Sequence, residues 1–195
     1  EKKTTYSIKN LPAMKEEAFV NNIDNYTSSI SHELSMTNYP NTPLKYYSTN
    51  WESVVKTIYN YDDFGPELNK TGYFEDDVNK LLTGITVDSE RIAVVLNFIK
   101  SNVKWNKYKG YSCNDGVKTA YKNKTGNSAE INLMLTAMLR FAGLNANPVI
   151  ISTRDNGIAF FPSRTAFNYV IAAVETPAGM ILLDATEKYS EPNIL

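Results

Sequence analysis

The sequence predicts an α+β domain in which helices pack on an antiparallel sheet. Three observations carry this expectation. Apolar residues recur at helical spacing between Asn50 and Ala142, and one helical stretch in that span is apolar on nearly every side. After Gly143 the period changes to short apolar runs separated by turn residues, with no helix between the last two. Helices followed by neighbouring strands describe an α+β arrangement rather than alternating β-α units.

Residues 1–47 read as β-rich. Ile30, His32, Leu34 and Met36 alternate with Ser31, Glu33 and Ser35, the period of a half-buried strand, until Pro40 and Pro43 break it. From Asn50 the pattern turns helical, with Trp51, Val54, Val55 and Ile58 at i, i+3, i+4 and i+7. Gly65, Pro66 and Gly72 interrupt a stretch that looks mobile. Asp88 can cap a helix whose stripe is Ile92, Val95, Leu96 and Ile99 and which ends near Trp105. Asp115 can cap a short helix carrying Val117, Ala120 and Tyr121.

The clearest element comes next. Asn127, Ser128, Ala129 and Glu130 form an Asn-led capping box, and Ile131, Leu133, Met134, Leu135, Met138, Leu139 and Ala142 fill the helix before Gly143 stops it. Strands are expected at residues 149–152, 169–174 and 180–184, with a loop over residues 154–167 and a turn at Thr176, Pro177, Ala178 and Gly179. The last two runs are continuously apolar, so both of their faces should be covered.

Composition narrows the function classes. The 195 residues are 43% apolar and 21% charged, with 20 Lys and Arg against 21 Asp and Glu. Roughly 70% of the unfolded surface can be buried at this size, enough for a real core. The balanced charge lacks the cationic excess of a nucleic-acid binder, and no apolar run approaches the ~20 residues of a membrane span. One cysteine excludes an intrachain disulfide, and one histidine excludes multi-His metal sites. No phosphate-cradling glycine loop is present, since Gly110, Gly116 and Gly126 are dispersed. No metal or other cofactor is expected. The chain opens without an initiator Met or an apolar leader and is read as a piece of a longer protein. Three Asn-x-Thr matches, at Asn25, Asn69 and Asn123, are read as chance in an Asn-rich chain.

Residue by residue, the search for chemistry gives bland readings first. Cys113 is an incidental loop cysteine or, alternatively, a thiolate nucleophile. His32 is a packed strand histidine or a general base. The pairs Asp62 with Asp63 and Asp76 with Asp77 read as solvated loop charges. The 13 tyrosines read as packing residues that flank helices, or as an aromatic ligand surface.

A resemblance enters at the central helix. Lys124-Thr125-Gly126-Asn127-Ser128-Ala129-Glu130, then Leu133-Met134-Leu135, then Leu139-Arg140-Phe141-Ala142-Gly143-Leu144-Asn145-Ala146, resemble the core signature of the transglutaminase-like superfamily. In that signature a Gly-x-Cys opens a buried helix that runs into a strand. Further on, Ser152-Thr153-Arg154-Asp155-Asn156-Gly157, Phe167-Asn168-Tyr169-Val170-Ile171-Ala172-Ala173-Val174 and Leu182-Leu183-Asp184-Ala185-Thr186 resemble the strands that carry the family's His and Asp. The resemblance implies a papain-type fold over residues 48–195, with residues 1–47 as the β-rich tail of a preceding domain. It also implies a bacterial protein located outside the cytoplasm, periplasmic or at the cell surface.

The sequence departs from the family where the chemistry would occur. In the signature's terms, Ser128 stands for the nucleophile, Asn168 for the base and Asp184 for the acid; Trp105 is a candidate oxyanion donor, or else a core tryptophan. A serine hydroxyl must lose its proton during attack, and an amide has no basic nitrogen to take it. If Val174 pairs with Met180, residue 168 faces residue 186 and Asn168 lies diagonal to Asp184, about 7–8 Å away between Cα atoms. A one-residue slip at the Pro177 turn removes that alignment. The resemblance therefore implies a catalytically inactive domain that binds a peptide, glycan or partner protein, or supports other domains of the parent chain. The alternatives are a hydrolase or acyltransferase using Ser128, with His32 as the one available histidine base, or a site to which Cys113 has relocated as the thiol.

Overall fold

A computed structural model describes every residue of the chain except Glu1, Lys2, Glu16, Ser31, Glu33, Ser35, Ser48 and Thr49. Five α-helices and seven strands follow in the order β1 (Met36–Thr37), β2 (Lys45–Tyr46), α1 (Trp51–Tyr59), α2 (Glu75–Leu81), α3 (Asp88–Asn102), β3 (Lys104–Trp105), α4 (Val117–Asn123), β4 (Thr125–Gly126), α5 (Ser128–Phe141), β5 (Ala146–Ile151), β6 (Tyr169–Thr176) and β7 (Gly179–Leu183) among the described residues. The main sheet is antiparallel in the order β5-β6-β7, and α5 packs on β6. Helices on an antiparallel sheet are the α+β class that the sequence predicts.

The center of the domain is α5, and its ends are built as the sequence indicates. Asn127 Oδ1 accepts from Glu130 N at 2.8 Å, and Glu130 Oε2 accepts from Asn127 N at 2.8 Å. This reciprocal box satisfies two amides that the first turn leaves unpaired. At the other end Leu144 N donates to Leu139 O at 3.1 Å while Gly143 adopts φ +83°, a glycine stop. All of residues 128–139 are buried. Each fully buried Leu, Ile or Met here contributes about 1.5–3 kcal/mol relative to exposure. The stripe of α3, Ile92, Val95, Leu96 and Ile99, is buried with them.

Several boundaries differ from the sequence reading, each for a physical reason. The cap position of α3 is Val87, and Asp88 sits inside the first turn, where its charge still complements the helix dipole. The helix ends at Asn102 because Lys104 and Trp105 leave it to pair in parallel with Thr125 and Gly126. The cap position of α4 is Gly116 at φ +86°, not Asp115, and Val117 N is taken by Glu67 Oε2 at 2.9 Å. A β-carbon on Gly116 would sit 3.2 Å from that carboxylate. The stretch around Gly65 and Pro66 is packed rather than mobile-looking: Phe64 and Leu68 are in the core and Glu67 is buried. Asp76 and Asp77 lie in the first turn of α2, and Asp77 accepts a hydrogen bond from Tyr121. In α1, Val54 and Ile58 are buried while Val55 and Trp51 remain exposed, so its apolar stripe is narrower than the spacing implied.

The β-rich expectation for residues 1–47 is corrected. Among the described residues this segment holds two two-residue strands and a short 3-10 turn at Ile23–Asn25. Ile30 and Leu34 are exposed, and His32, also exposed, has its ring 5.4 Å from that of Tyr6. Ser31, Glu33 and Ser35, the polar half of the predicted alternation, lie outside the described residues. Period-two patterning becomes a strand when a partner supplies backbone hydrogen bonds, and among the described residues none pairs with residues 30, 32 and 34.

The β6-β7 register also differs. Thr176 pairs with Gly179 and Val174 with Ile181, one residue away from the expected pairing of Val174 with Met180. Pro177 and Ala178 form the connection, and Gly179 absorbs the reversal at φ +125°. β6 is covered through Val174, but β7 starts exposed at Gly179 and Met180 and is one of the two edge strands. No helix among the described residues is long and apolar enough to cross a membrane.

Candidate functional site

The start of α5 places Ser128 beside the loop over residues 106–116. Glu130 organizes that loop: Oε1 accepts from Asn114 N (3.1 Å), Asp115 N (2.7 Å) and Gly116 N (3.1 Å). Asn127 adds a bond from Nδ2 to Ser112 O at 2.9 Å. The capping box thus does more than start a helix, since its carboxylate also ties down the chain that precedes α4. Cys113 lies in this loop, buried, and its amide donates to Asp63 O at 2.9 Å. Burial first, then the negative charges of Glu67, Glu130 and Asp63, push its thiol well above the ordinary range. A thiol in that environment stays protonated at neutral pH and is a poor nucleophile.

Ser128 is fully buried. Its hydroxyl accepts from Gly110 N at 2.9 Å and donates to Gly110 O at 2.7 Å. Its amide donates to Tyr108 O at 3.2 Å. The same carbonyl accepts from the indole Nε1 of Trp105 at 3.0 Å. Trp105, on β3, is half-buried and packs against the core, and its indole N–H is taken by Tyr108 O. Its ring stands edge-on to that of Tyr169, 6.3 Å between centroids.

Asp184, just beyond β7, is buried and saturated with donors. Oδ1 accepts from Asn132 Nδ2 (2.9 Å), Thr186 N (2.9 Å) and Thr186 Oγ1 (2.8 Å), and Oδ2 accepts from the Tyr169 hydroxyl at 3.0 Å. Asn132 locks the helix to the sheet, since Nδ2 also donates to Val170 O (2.9 Å) and Oδ1 accepts from Ala185 N (3.0 Å). It lies one turn beyond Ser128, on the same side of α5.

The expected contact between Asn168 and Asp184 is corrected. Asn168 turns to Thr153, accepting from its amide at 2.9 Å and donating from Nδ2 to its Oγ1 at 2.9 Å. The one-residue difference in register is the cause. The diagonal position that the sequence reading assigned to Asn168 is held by Tyr169. Burial first, then the Asp184 charge, raises the Tyr169 phenol well above its ordinary value. A phenol so placed donates a hydrogen bond and does not accept a proton at neutral pH.

The structure therefore joins Asp184, Tyr169 and Asn132 in one network and closes Ser128 onto the main chain of Tyr108 and Gly110. It leaves Asn168 outside that network and His32 in the exposed N-terminal segment. Tyr169, Asn132 and Thr186 are not among the site residues that the sequence reading names. Asn132 carried a signal, as a polar residue inside an otherwise apolar helix. Tyr169 did not, because its role depends on a register set eight residues away. Among the described residues, no group of three or more His, Cys, Asp or Glu is placed to hold a metal ion.

One solved structure and one family model agree with this architecture. A solved structure of a candidate protease from Parabacteroides distasonis superposes with a TM-score of 0.55 at 15% identity, over 80% of this chain and 31% of that one. A candidate cysteine protease from Cytophaga hutchinsonii gives a TM-score of 0.45 at 14% identity, over 67% of this chain and 44% of that one. The chain thus spans less than half of either neighbor. Among curated proteins none matches it. The family model of the transglutaminase-like superfamily matches residues 76–181, more than half of the 195 residues and the span from α2 to β7. The chain belongs to the transglutaminase-like superfamily.

Proposed function

We propose that this domain is a non-catalytic member of the superfamily, a binding or scaffolding module of a larger, exported bacterial protein. The observation that carries the reading is the pairing of the Asp184 carboxylate with the Tyr169 phenol. A carboxylate next to an imidazole orients a base; next to a phenol held protonated, it orients a group that takes no proton. In this reading Ser128, Tyr169 and Asp184 occupy the positions of nucleophile, base and acid, with Tyr169 rather than Asn168 in the middle.

The Ser128 hydroxyl fits the same reading. Its partners are the two main-chain atoms of Gly110, and among the described residues no basic side chain is hydrogen-bonded to it. A hydrolase or acyltransferase built on Ser128 needs a base within hydrogen-bond reach. Cys113 offers no substitute, because its thiol is buried among carboxylates. The test is incubation of the chain with a glutamine-containing protein and a fluorescent primary amine, and separately with a quenched peptide. Neither cross-linking nor cleavage should rise above the buffer rate. Turnover that disappears in Ser128→Ala would refute the reading.

A further inference from the structure

We propose that residues 107–111 form an autoinhibitory strap, in which the chain's own backbone lies over Ser128 in the place of an extended peptide ligand. The inference rests on the non-catalytic reading only for the fate of a bound ligand, which is held rather than processed.

The first observation is which atoms the strap uses. Tyr108 O receives two donors from different elements, Ser128 N at the start of α5 and Trp105 Nε1 on β3. Two residues on, Gly110 presents its N–H and its C=O together to one hydroxyl. Every one of these contacts is to main chain. Residues two apart on an extended chain present the same face, so any extended peptide could supply the same carbonyl, amide and carbonyl. With the strap displaced, Ser128 N, the indole N–H and the Ser128 hydroxyl would be left without partners. Buried donors left in that state favor an occupant of matching chemistry.

The second observation is how weakly the strap is fastened. The Tyr108 side chain is exposed, so no buried apolar anchor holds this position. Lys109 Nζ pairs with Asp155 at 2.6 Å, and Lys107 Nζ pairs with Glu187 at 3.4 Å and lies over the Trp105 ring. All four charged side chains of these pairs are well exposed, and exposed pairs are screened by salt. Lys107 also adopts φ +70°, a conformation that residues with a β-carbon rarely take. Tyr111 packs against the core and is the fixed end of the strap; ahead of it, main-chain contacts inside and salt-sensitive fasteners outside describe a segment that can be exchanged.

The test uses the whole chain and an acetylated, amidated, fluorescein-labeled hexapeptide of sequence Asn-Lys-Tyr-Lys-Gly-Tyr, copied from residues 106–111. Binding is read by anisotropy against the native chain and against Lys107→Ala/Lys109→Ala. Loosening the strap raises the fraction of open site, so the double variant should bind about tenfold more tightly at low salt. Adding Ser128→Ala should reverse the gain. A folded double variant that binds no more tightly than the native chain overturns the proposal. Hydrogen exchange on the native chain provides a readout that needs no variant. Raising salt from about 0.05 to about 1 M should speed exchange at the Gly110 amide while amides inside α5 hold steady. An unchanged Gly110 rate also overturns it. Chromatography of the peptide after incubation separates the two readings. Cleavage that requires Ser128 would sink the non-catalytic reading and leave the strap standing, whereas absent binding sinks the strap alone.

Discussion

Among the described residues three carboxylates lie buried, Glu67, Glu130 and Asp184, and the last two are satisfied in opposite ways. Glu130 takes its four hydrogen bonds from main-chain amides, at Asn114, Asp115, Gly116 and Asn127. Asp184 takes three of its four from side chains, Asn132, Tyr169 and Thr186, and one from the Thr186 amide. Backbone donors are present whatever the sequence at those positions, so the Glu130 cluster is a fixed piece of architecture. Side-chain donors can be exchanged one at a time. In the non-catalytic reading proposed above, a phenol at residue 169 makes a static contact with the carboxylate where a base would make a proton relay.

The comparison is tested first where the largest effect is expected. Glu130→Ala should destabilize the domain by about 4 kcal/mol in urea unfolding, because it strands several buried amides at once. It should also raise the reactivity of Cys113 toward a thiol reagent, since the loop bearing it loses its anchor. Asp184→Ala should cost less, about 2–3 kcal/mol, because the Asn132, Tyr169 and Thr186 side chains can turn to one another or to water. Equal losses in the two variants would erase the distinction between the two carboxylates.

The smallest effect is expected for Tyr169→Phe, about 1 kcal/mol near neutral pH, the value of one hydrogen bond. Its pH dependence sharpens the test. An unfolded tyrosine ionizes at about 10, whereas burial and the Asp184 charge hold the Tyr169 proton to higher pH. The contribution is therefore complete below about 10 and is lost as pH rises beyond it toward the folded value. Urea unfolding at a series of alkaline pH values should show the native chain losing its advantage over Tyr169→Phe. An advantage that grows above pH ~10 would contradict the assignment.

Local signals in this chain are legible and distant ones are not. The capping box of Asn127 and Glu130, the glycine stop at Gly143 and the α3 stripe depend on residues within a few positions of one another. The candidate site depends on more. Asp184 and Ser128 could be picked out, since both lie at element ends that carry a family pattern. The middle position could not, because the turn at Pro177 and Ala178 shifts the β6-β7 pairing by one and brings Tyr169, not Asn168, to the carboxylate. The same limit applies to residues 30, 32 and 34, whose alternation finds no strand partner among the described residues.

By itself the sequence determined that α5 is buried, where it starts and stops, and that neither a thiol nor an imidazole stands in the family pattern. Those properties follow from side-chain polarity, helical spacing and capping chemistry, all of which act over a turn or two. Only the tertiary structure decided which side chain meets Asp184 and what lies over Ser128. Strand register and loop placement are sums over contacts between segments far apart in the chain, and a difference of one residue in a turn changes every partner downstream.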